Sequence, residues 1–454
     1  MVSYTWIYMD FARTGLSFLH LCAILDKIEI SLQKVVPIEQ SQKMTSLEKR
    51  WVLYDVGNSA FTLLISTILP IYFNGLAGAA GLSDAEYLAF WGYAASFVTV
   101  VVAVLGPTLG AVADLPGMKK KLFVLCVAVG VAGCAVMGLL QSWVWFLGCF
   151  VIAKIGYSAS LVFYDSMLTD VTTPERMDKV SSVGYAFGYA CSCIPFVVSL
   201  AIVLGYEAMG LTLNTAMLAA FLLNAAWWLC CTLPLLRSYR QRYSVRGGGH
   251  LVRGAFRRLG ETLREIRGNK QVFWFLVAFF LYIDGVYTII DMATAYGQAL
   301  GLDSTGLLLA LLVTQIVAFP FALLYGWLSR RVDTALLVSV GILAYVGIAA
   351  YAIFLRTQGQ FWVLAVCVGM FQGGIQSLSR SYFGKIIPPE RSGEYYGLLD
   401  ICGKGASFVG TFLVSALTQL SGSTSTGVMV IAPLILLGFF AFRRAVREGR
   451  KSNS

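Results

Sequence analysis

Charge is scarce in this chain. Of its 454 residues 13% are charged and 58% hydrophobic, whereas a soluble domain carries roughly 25% charged residues. That balance excludes an ordinary water-soluble domain and points to lipid as the solvent. Histidine is nearly missing: His20 and His250 are the two in the chain, too few and too far apart to suggest a metal site. The ten cysteines are scattered singly or as Cys191/Cys193 and Cys230/Cys231, with no CxxC pair, and read as small packing residues. No Walker-type loop is present, so ATP is not expected as the energy source. No nucleophile, base and oxyanion-donor set stands out, so neither enzyme chemistry nor a cofactor is expected.

What the chain does have is apolar runs. They recur with lengths near 20 residues, the length that crosses a hydrocarbon core of roughly 30 Å. They are continuous rather than alternating, so they read as helices, not barrel strands. Helices satisfy their own backbone hydrogen bonds in lipid. The runs fall at about 52–74, 88–113, 121–140, 143–166, 180–205 and 214–236, then at about 272–297, 305–328, 334–354, 360–383, 394–418 and 427–446. The formal charge of +10 in a soluble protein would suggest nucleic acid. Here the basic residues gather in alternate loops and at the C-terminal tail: Lys119–Lys121, Arg176/Lys179, Arg330/Arg331, Arg380–Arg391 and Arg443–Lys451. The opposite loops carry only Arg356. That asymmetry is the positive-inside pattern. It places both termini in the cytoplasm and makes the bilayer the partner, not nucleic acid.

The expected architecture is therefore all-α and integral to the membrane, with twelve transmembrane helices in two six-helix bundles. The bundles span 44–236 and 272–446, and 447–454 is a basic tail. Residues 237–271 join them as a very basic linker. Within it Val252, Phe256, Leu259, Leu263 and Ile266 recur at helical spacing, which suits either an amphipathic helix on an anionic membrane surface or a solvated linker. Residues 1–43 hold aromatics but no run long enough to span. Met44 opens a stretch that looks like a natural start, so 1–43 reads as an upstream extension, with a peripheral helix as the second choice. The halves also repeat: Pro174-Glu175-Arg176 against Pro389-Glu390-Arg391, and Tyr54-Asp55-Val56-Gly57 against Tyr282-Ile283-Asp284-Gly285. Two six-span repeats with a long link suit a transporter whose substrate sits near the midplane between them.

Between the second and third runs lies Gly110-Ala-Val-Ala-Asp114-Leu-Pro-Gly117-Met-Lys119-Lys120. It resembles the signature loop of the major facilitator superfamily, with Leu115 and Met118 where that family usually has basic residues. The second-half copy, Gly326-Trp-Leu-Ser-Arg330-Arg331, has Arg330 where the acid belongs. Trp51-Val-Leu-Tyr54-Asp55-Val-Gly-Asn58-Ser59-Ala-Phe61, Phe163-Tyr164-Asp165 and Gly373-Gly374-Ile-Gln376-Ser-Leu-Ser379-Arg380-Ser381 resemble the vacuole-effluxer branch, which includes fungal autophagy-related amino-acid exporters. The resemblance covers about 44–446. It implies a central cavity lined by spans 1, 4, 7 and 10 and bordered by 11, a monomer, and export of a small molecule. The compact loops favour a bacterial member, and so the cytoplasmic membrane. For Asp114, Lys119 and Lys120 it implies gating on the inner face.

Charges inside spans are costly, which makes each a functional candidate. Lys154, Asp284 and Lys404 fall roughly 15–18 Å deep, near the midplane. Two ammonium groups and one carboxylate suit a solute carrying a carboxylate and an amine, an amino acid or short peptide, and suit an organic anion nearly as well. Asp284 is also the candidate for proton coupling, since an apolar cavity favours a protonated carboxyl. Pairing with a lysine to hold one state is the alternative. Asp400 and Lys404, spaced i, i+4, form an intrahelical pair on the plainer reading. Asn58 and Ser59 on the first span and Gln372 and Gln376 on the tenth are candidates for reading polar substrate groups. Asp55 lies beside them near the inner end and is a candidate gating residue, and Arg380 is expected to pair with Asp165 as a gate. Gly106-x-x-x-Gly110 and Gly184-x-x-x-Gly188 permit close helix approach. The function expected is secondary transport by alternating access, most of all amino-acid efflux. Efflux of organic anions or amphipathic compounds, and a non-transporting receptor or scaffold, are the alternatives.

Overall fold

The structure is a computed structural model that describes residues 43–245, 251–421 and 424–452. The stretch 1–42, with His20 and nearly all of the proposed extension, lies outside these residues, as does His250.

Twelve described helical segments are long and apolar enough to cross a membrane. In the first half α1 (Ser46–Ser66) and α2 (Ile68–Ala79) make one span, followed by α3 (Asp84–Ala113), α4 (Met118–Met137), α5 (Trp143–Ser166) with the short α6 (Leu168–Val171), α7 (Met177–Leu204) and α8 (Leu213–Ser238). After the linker helix α9 (Leu251–Gly268) come α10 (Lys270–Ala299), α11 (Ser304–Leu328), α12 (Thr334–Ile353), α13 (Gln358–Ile386), α14 (Ser392–Ser421), the short α15 (Thr424–Val428) and α16 (Ile431–Ser452). Most ends fall within a few residues of the apolar runs. The first span is longer than its run because the polar residues Ser46 to Arg50 continue the helix. Caps explain other starts: Ser83 and Thr357 each close a reciprocal capping box, with Glu86 and Gln360, which satisfies amides that the helix leaves open.

Helices of one half pack mainly on each other: α1 on α7 and α8, α4 on α5, then α10 on α16 and α11 on α13. Two seams join the halves, α3 against α14 and α7 against α11 and α13. Missing side chains permit the first seam. A Cβ on Gly110 would collide with the Gly393 carbonyl, and one on Gly397 would lie 2.7 Å from the Gly106 carbonyl. So Gly106 and Gly110 of α3 face Gly393 and Gly397 of α14, backbone to backbone. Gly184 and Gly188 of α7 give room instead to Asp55 and Ser59 of α1.

The basic loops and the C-terminal helix gather at one end, the basic end. There Asp114, just past α3, accepts hydrogen bonds from the Gly393 and Glu394 amides at 2.8 and 2.9 Å. These are among the first amides of α14, where a helix favours a negative charge. The turn to α4 needs Gly117, which adopts φ 69°. The linker helix α9 packs on α3 and α10. It buries Thr262 and Ile266, leaves Leu263 half exposed, and ties to α14 as Thr262 donates to Glu394 at 2.6 Å. The side chains of Val252 and Phe256, named above for its apolar face, lie outside what is described.

Candidate functional site

A cavity of about 380 Å³ lies between the halves. Seven long helices bring side chains to it, α11 through Gln315, because each presents a polar or aromatic residue inward at helical spacing. From α1 come Asp55, Asn58, Ser59 and Thr62; from α5, Tyr157 and Asp165; from α7, Tyr185 and Tyr189; from α10, Tyr287; from α13, Gln376 and Arg380; and from α14, Tyr396, Asp400 and Lys404. Three carboxylates thus face two cations, an excess of one negative charge.

Arg380 forms the floor toward the basic end. Its Nη1 lies 3.0 Å from Asp165 and its Nη2 3.5 Å from Asp55. Its Nε donates to Ser181 Oγ at 2.9 Å. The guanidinium also lies 4.4 Å from the Tyr185 ring centroid and 4.7 Å from that of Trp51, within cation–π range. A planar guanidinium serves all these directions at once, which an ammonium cannot do. One residue of the second half therefore binds three helices of the first. Lys404 lies 2.6 Å from Asp400 on its own helix. Asn58 is buried and donates to the Tyr54 carbonyl at 3.1 Å, and Tyr189 donates to Gln376 at 3.4 Å.

Below the floor the halves are clasped. Lys119 is wholly buried, lies 3.3 Å from Asp170 and 3.7 Å from Asp114, and donates to Ser392 Oγ at 2.8 Å. Lys120 is half-buried and takes no part in that clasp. Asp178 accepts from Ser381 and Lys385, at 2.6 and 2.5 Å. Ser181 and Ser182 of α7 bond to Ser377 of α13. Burial pushes the Asp114 carboxyl up to about 7, against the opposing pull of Lys119 and the two α14 amides.

Of the three midplane charges named from sequence, only Lys404 lines the cavity. Asp284 is fully buried elsewhere. Its neighbours Ile283 and Tyr287 face the cavity, and a step of one residue turns a helix by about 100°. Asp284 is therefore aimed at α14, where Oδ1 accepts from the Gly410 amide at 2.9 Å. Its Oδ2 has no hydrogen-bond partner among the described residues. Lys154 sits one turn further from the basic end than Tyr157, with Nζ 5.1 Å from that ring centroid, in the field of Lys404 and Asp291. Gln372 is buried off the cavity, and its Nε2 has no hydrogen-bond partner among the described residues. The expectation that Lys154, Asp284 and Lys404 share one chamber is thus corrected by helix azimuth. Reading the sequence also missed the five cavity tyrosines, and Asp170 and Asp178 in the clasp. Tyrosines within apolar runs look like lipid-facing or core residues, whereas the Asp-x-x-Ser spacing Asp178/Ser181 across from Ser377/Ser381 carries no local signal at all.

Twelve spans with a solute-sized chamber between two halves define a transporter of the major facilitator type, and the polar clasp shows it closed at the basic end. The model of the vacuole effluxer Atg22-like family matches residues 46–453, and the chain belongs to that family. An uncharacterized MFS-type transporter of Bacillus subtilis, YxiO, is 41% identical over 87% of this chain and 94% of its own length. Autophagy-related protein 22-1 of Aspergillus clavatus is 27% identical over 59% of this chain, and the match spans about half of that protein. Among solved structures, the human organic anion transporter MFSD10 (TETRAN) aligns with a TM-score of 0.65 at 18% identity, over 87% of this chain and 99% of that one. FucP in its outward conformation gives a TM-score of 0.65 at 13% identity, over 88% of this chain and 97% of that one. At those identities the likeness speaks for the fold alone.

Proposed function

We propose that this chain is a secondary active transporter that works by alternating access and moves a small solute bearing an ammonium group and a carboxylate, an amino acid first among them. The observation that carries this reading is the cavity's charge pattern. The Asp55–Arg380–Asp165 floor has a negative excess that an ammonium would neutralise, and Lys404 is the cation left for a carboxylate once Asp400 turns to the amine. Asn58, Ser59 and Gln376 supply neutral hydrogen-bonding groups, and the tyrosines supply faces for an apolar or aromatic side chain. The same tyrosines and the negative excess favour, as a second reading, amphipathic amines over organic anions.

Efflux is the direction suggested by kinship with vacuole effluxers. The basic end lies in the cytoplasm in this reading, by the positive-inside rule, and the chain acts as a monomer in a bacterial cytoplasmic membrane. Protons are the proposed coupling ion. Asp284 is their carrier because Oδ2 is open while Oδ1 is held by a backbone amide of α14, a helix that also lines the cavity. Proton binding would then bear on α14 without competing for the solute.

Counterflow in proteoliposomes tests this. Vesicles loaded with an unlabelled amino acid should accumulate the labelled one from outside, and a dicarboxylic acid should not compete. The Asp284→Asn variant should keep counterflow and lose accumulation driven by a pH gradient. Exchange of dicarboxylates in preference to every amine-bearing solute would overturn the substrate reading. Unchanged pH-driven uptake in Asp284→Asn would overturn the coupling.

A further inference from the structure

The far end of α16 carries a cluster of positive charge that the transport cycle described above does not use. From Leu436 onward one face of this helix is exposed in a continuous stripe: Leu436, Leu437 and Phe440, then Arg443, Arg444, Arg447 and Lys451. The spacing of three and four residues keeps them on one side. The stripe changes from apolar to cationic within one turn, between Phe440 and Arg443. The arginines, with Phe439, Phe440 and Glu448, line a groove of about 480 Å³.

Four facts mark the groove as a site. Glu448 is its one carboxylate, and Lys451 lies 3.3 Å from it. Arg443, Arg444 and Arg447 form no ion pair among the described residues, although three like charges within two turns repel one another. The Arg444 guanidinium is stacked over Trp274 at the start of α10, 4.1 Å from the ring centroid, so one cation of the cluster is held in place. Finally, the exposed Phe440 and, one turn on beside Arg444, Trp274 are aromatics of the kind found where hydrocarbon gives way to headgroups.

We propose that this groove binds one anionic phospholipid. The phosphodiester lies on Arg443, Arg444 and Arg447, whose planar guanidinium groups suit two-pronged contacts to phosphate oxygens. The acyl chains run along Leu436, Leu437 and Phe440, which are exposed by 37–60%. A free phosphate would use the arginines but leave the apolar half of the stripe unexplained, so a lipid is the ligand that fits both.

The test is lipid binding to the purified full chain by native mass spectrometry, titrating phosphatidylglycerol, phosphatidylcholine and inorganic phosphate. The parent should prefer phosphatidylglycerol to phosphatidylcholine. Each basic residue at an anionic surface is worth roughly fivefold in affinity, so Arg443→Gln/Arg444→Gln/Arg447→Gln should weaken phosphatidylglycerol binding on the order of a hundredfold and leave phosphatidylcholine unchanged. The corresponding triple Lys variant should keep most of the preference. Arg447→Gln alone, at an exposed position, should lose about fivefold and serves if the triple variant does not fold. Equal binding of the two lipids by the parent would overturn the proposal. So would an unchanged preference in the variants, or displacement of the lipid by millimolar phosphate alone.

Discussion

Arg380→Gln is the most informative perturbation. Arg380 is buried, and it holds Asp55 and Asp165 together from the other half. Removing the cation leaves two carboxylates facing each other with no counter-charge between them. Taking one partner from a buried pair typically costs about 3–5 kcal/mol, and loss of the stacking on Trp51 and Tyr185 adds roughly 0.5–2 kcal/mol. The Asp165 side chain is 30% exposed, so solvent screens part of its share. About 3–5 kcal/mol is therefore expected for the variant as a whole. The cause is separable from simple loss of packing. If repulsion between the stranded carboxylates is the main cost, then Asp55→Asn added to Arg380→Gln should recover stability, and the double-mutant cycle should show a coupling of about 1–3 kcal/mol. Denaturant unfolding in detergent, followed by tryptophan fluorescence, gives each corner of the cycle. A loss below about 0.5 kcal/mol for Arg380→Gln, or effects that simply add, would refute the view that this arginine holds the basic end closed.

Gly110→Ala should wedge α3 from α14 and destabilise the closed basic end by about 1–3 kcal/mol, slowing counterflow, while Gly92→Ala on the same helix, with nothing near its added Cβ, should change neither. Lys404→Gln should raise KM roughly tenfold for a solute with a carboxylate, the worth of one charged hydrogen bond, and leave a decarboxylated amine unaffected; equal effects on both solutes would count against Lys404 as the carboxylate's partner. The clasp should also respond to pH. Asp114 in the closed state is pushed up to about 7, above its ordinary value, so that state binds the extra proton. Its contribution is full below the ordinary carboxyl range and is lost as pH rises through about 7. Relative to Asp114→Asn, the parent should gain about 2 kcal/mol on acidification from about pH 8 to 5.5, and a thermal-melting difference that stays flat with pH would contradict this.

The number and order of spans were legible in the sequence because lipid imposes one requirement on every crossing segment, about 20 apolar residues, and that requirement is local. Lys154, Asp284 and Lys404 each fall near the middle of their helices, Trp143–Ser166, Lys270–Ala299 and Ser392–Ser421. Azimuth was not legible. Whether a residue faces the cavity, a neighbouring helix or lipid depends on rotation of each helix about its axis, and in a span that is apolar nearly all round no polar face reveals that rotation. Asp284 is the clear case: it is adjacent in sequence to Ile283, which lines the cavity, and yet faces Gly410. The Arg380–Asp165 pair was accessible because both residues sit at matching places in the repeated halves. Asp55 as its second partner was not, since nothing in the sequence brings span 1 to the same guanidinium.

The composition of the clasp also bears on how the halves separate. A seam closed by large apolar side chains would cost about 25 cal/mol for each Å² exposed to water, with nothing to offset it. Here the α3–α14 seam is glycine on glycine, and beside the Phe187–Phe319 ring contact of α7 with α11 the links include hydrogen bonds and ion pairs: Asp114 to the α14 amides, Lys119 to Ser392, Asp178 to Lys385 and Ser381, and Arg380 to Asp165. Water entering from the basic end can replace each of these at a net cost of roughly 0.5–1.5 kcal/mol per neutral hydrogen bond and somewhat more for charged ones. Several such links hold the end closed together, yet each can be exchanged for water in turn. The floor at Arg380 differs from these, since its partners Asp55 and Asp165 line the cavity itself. In the proposed cycle a solute's ammonium at Asp55 and Asp165 would compete for the carboxylates that hold this arginine, so that the link lying against the chamber is the one the solute can loosen.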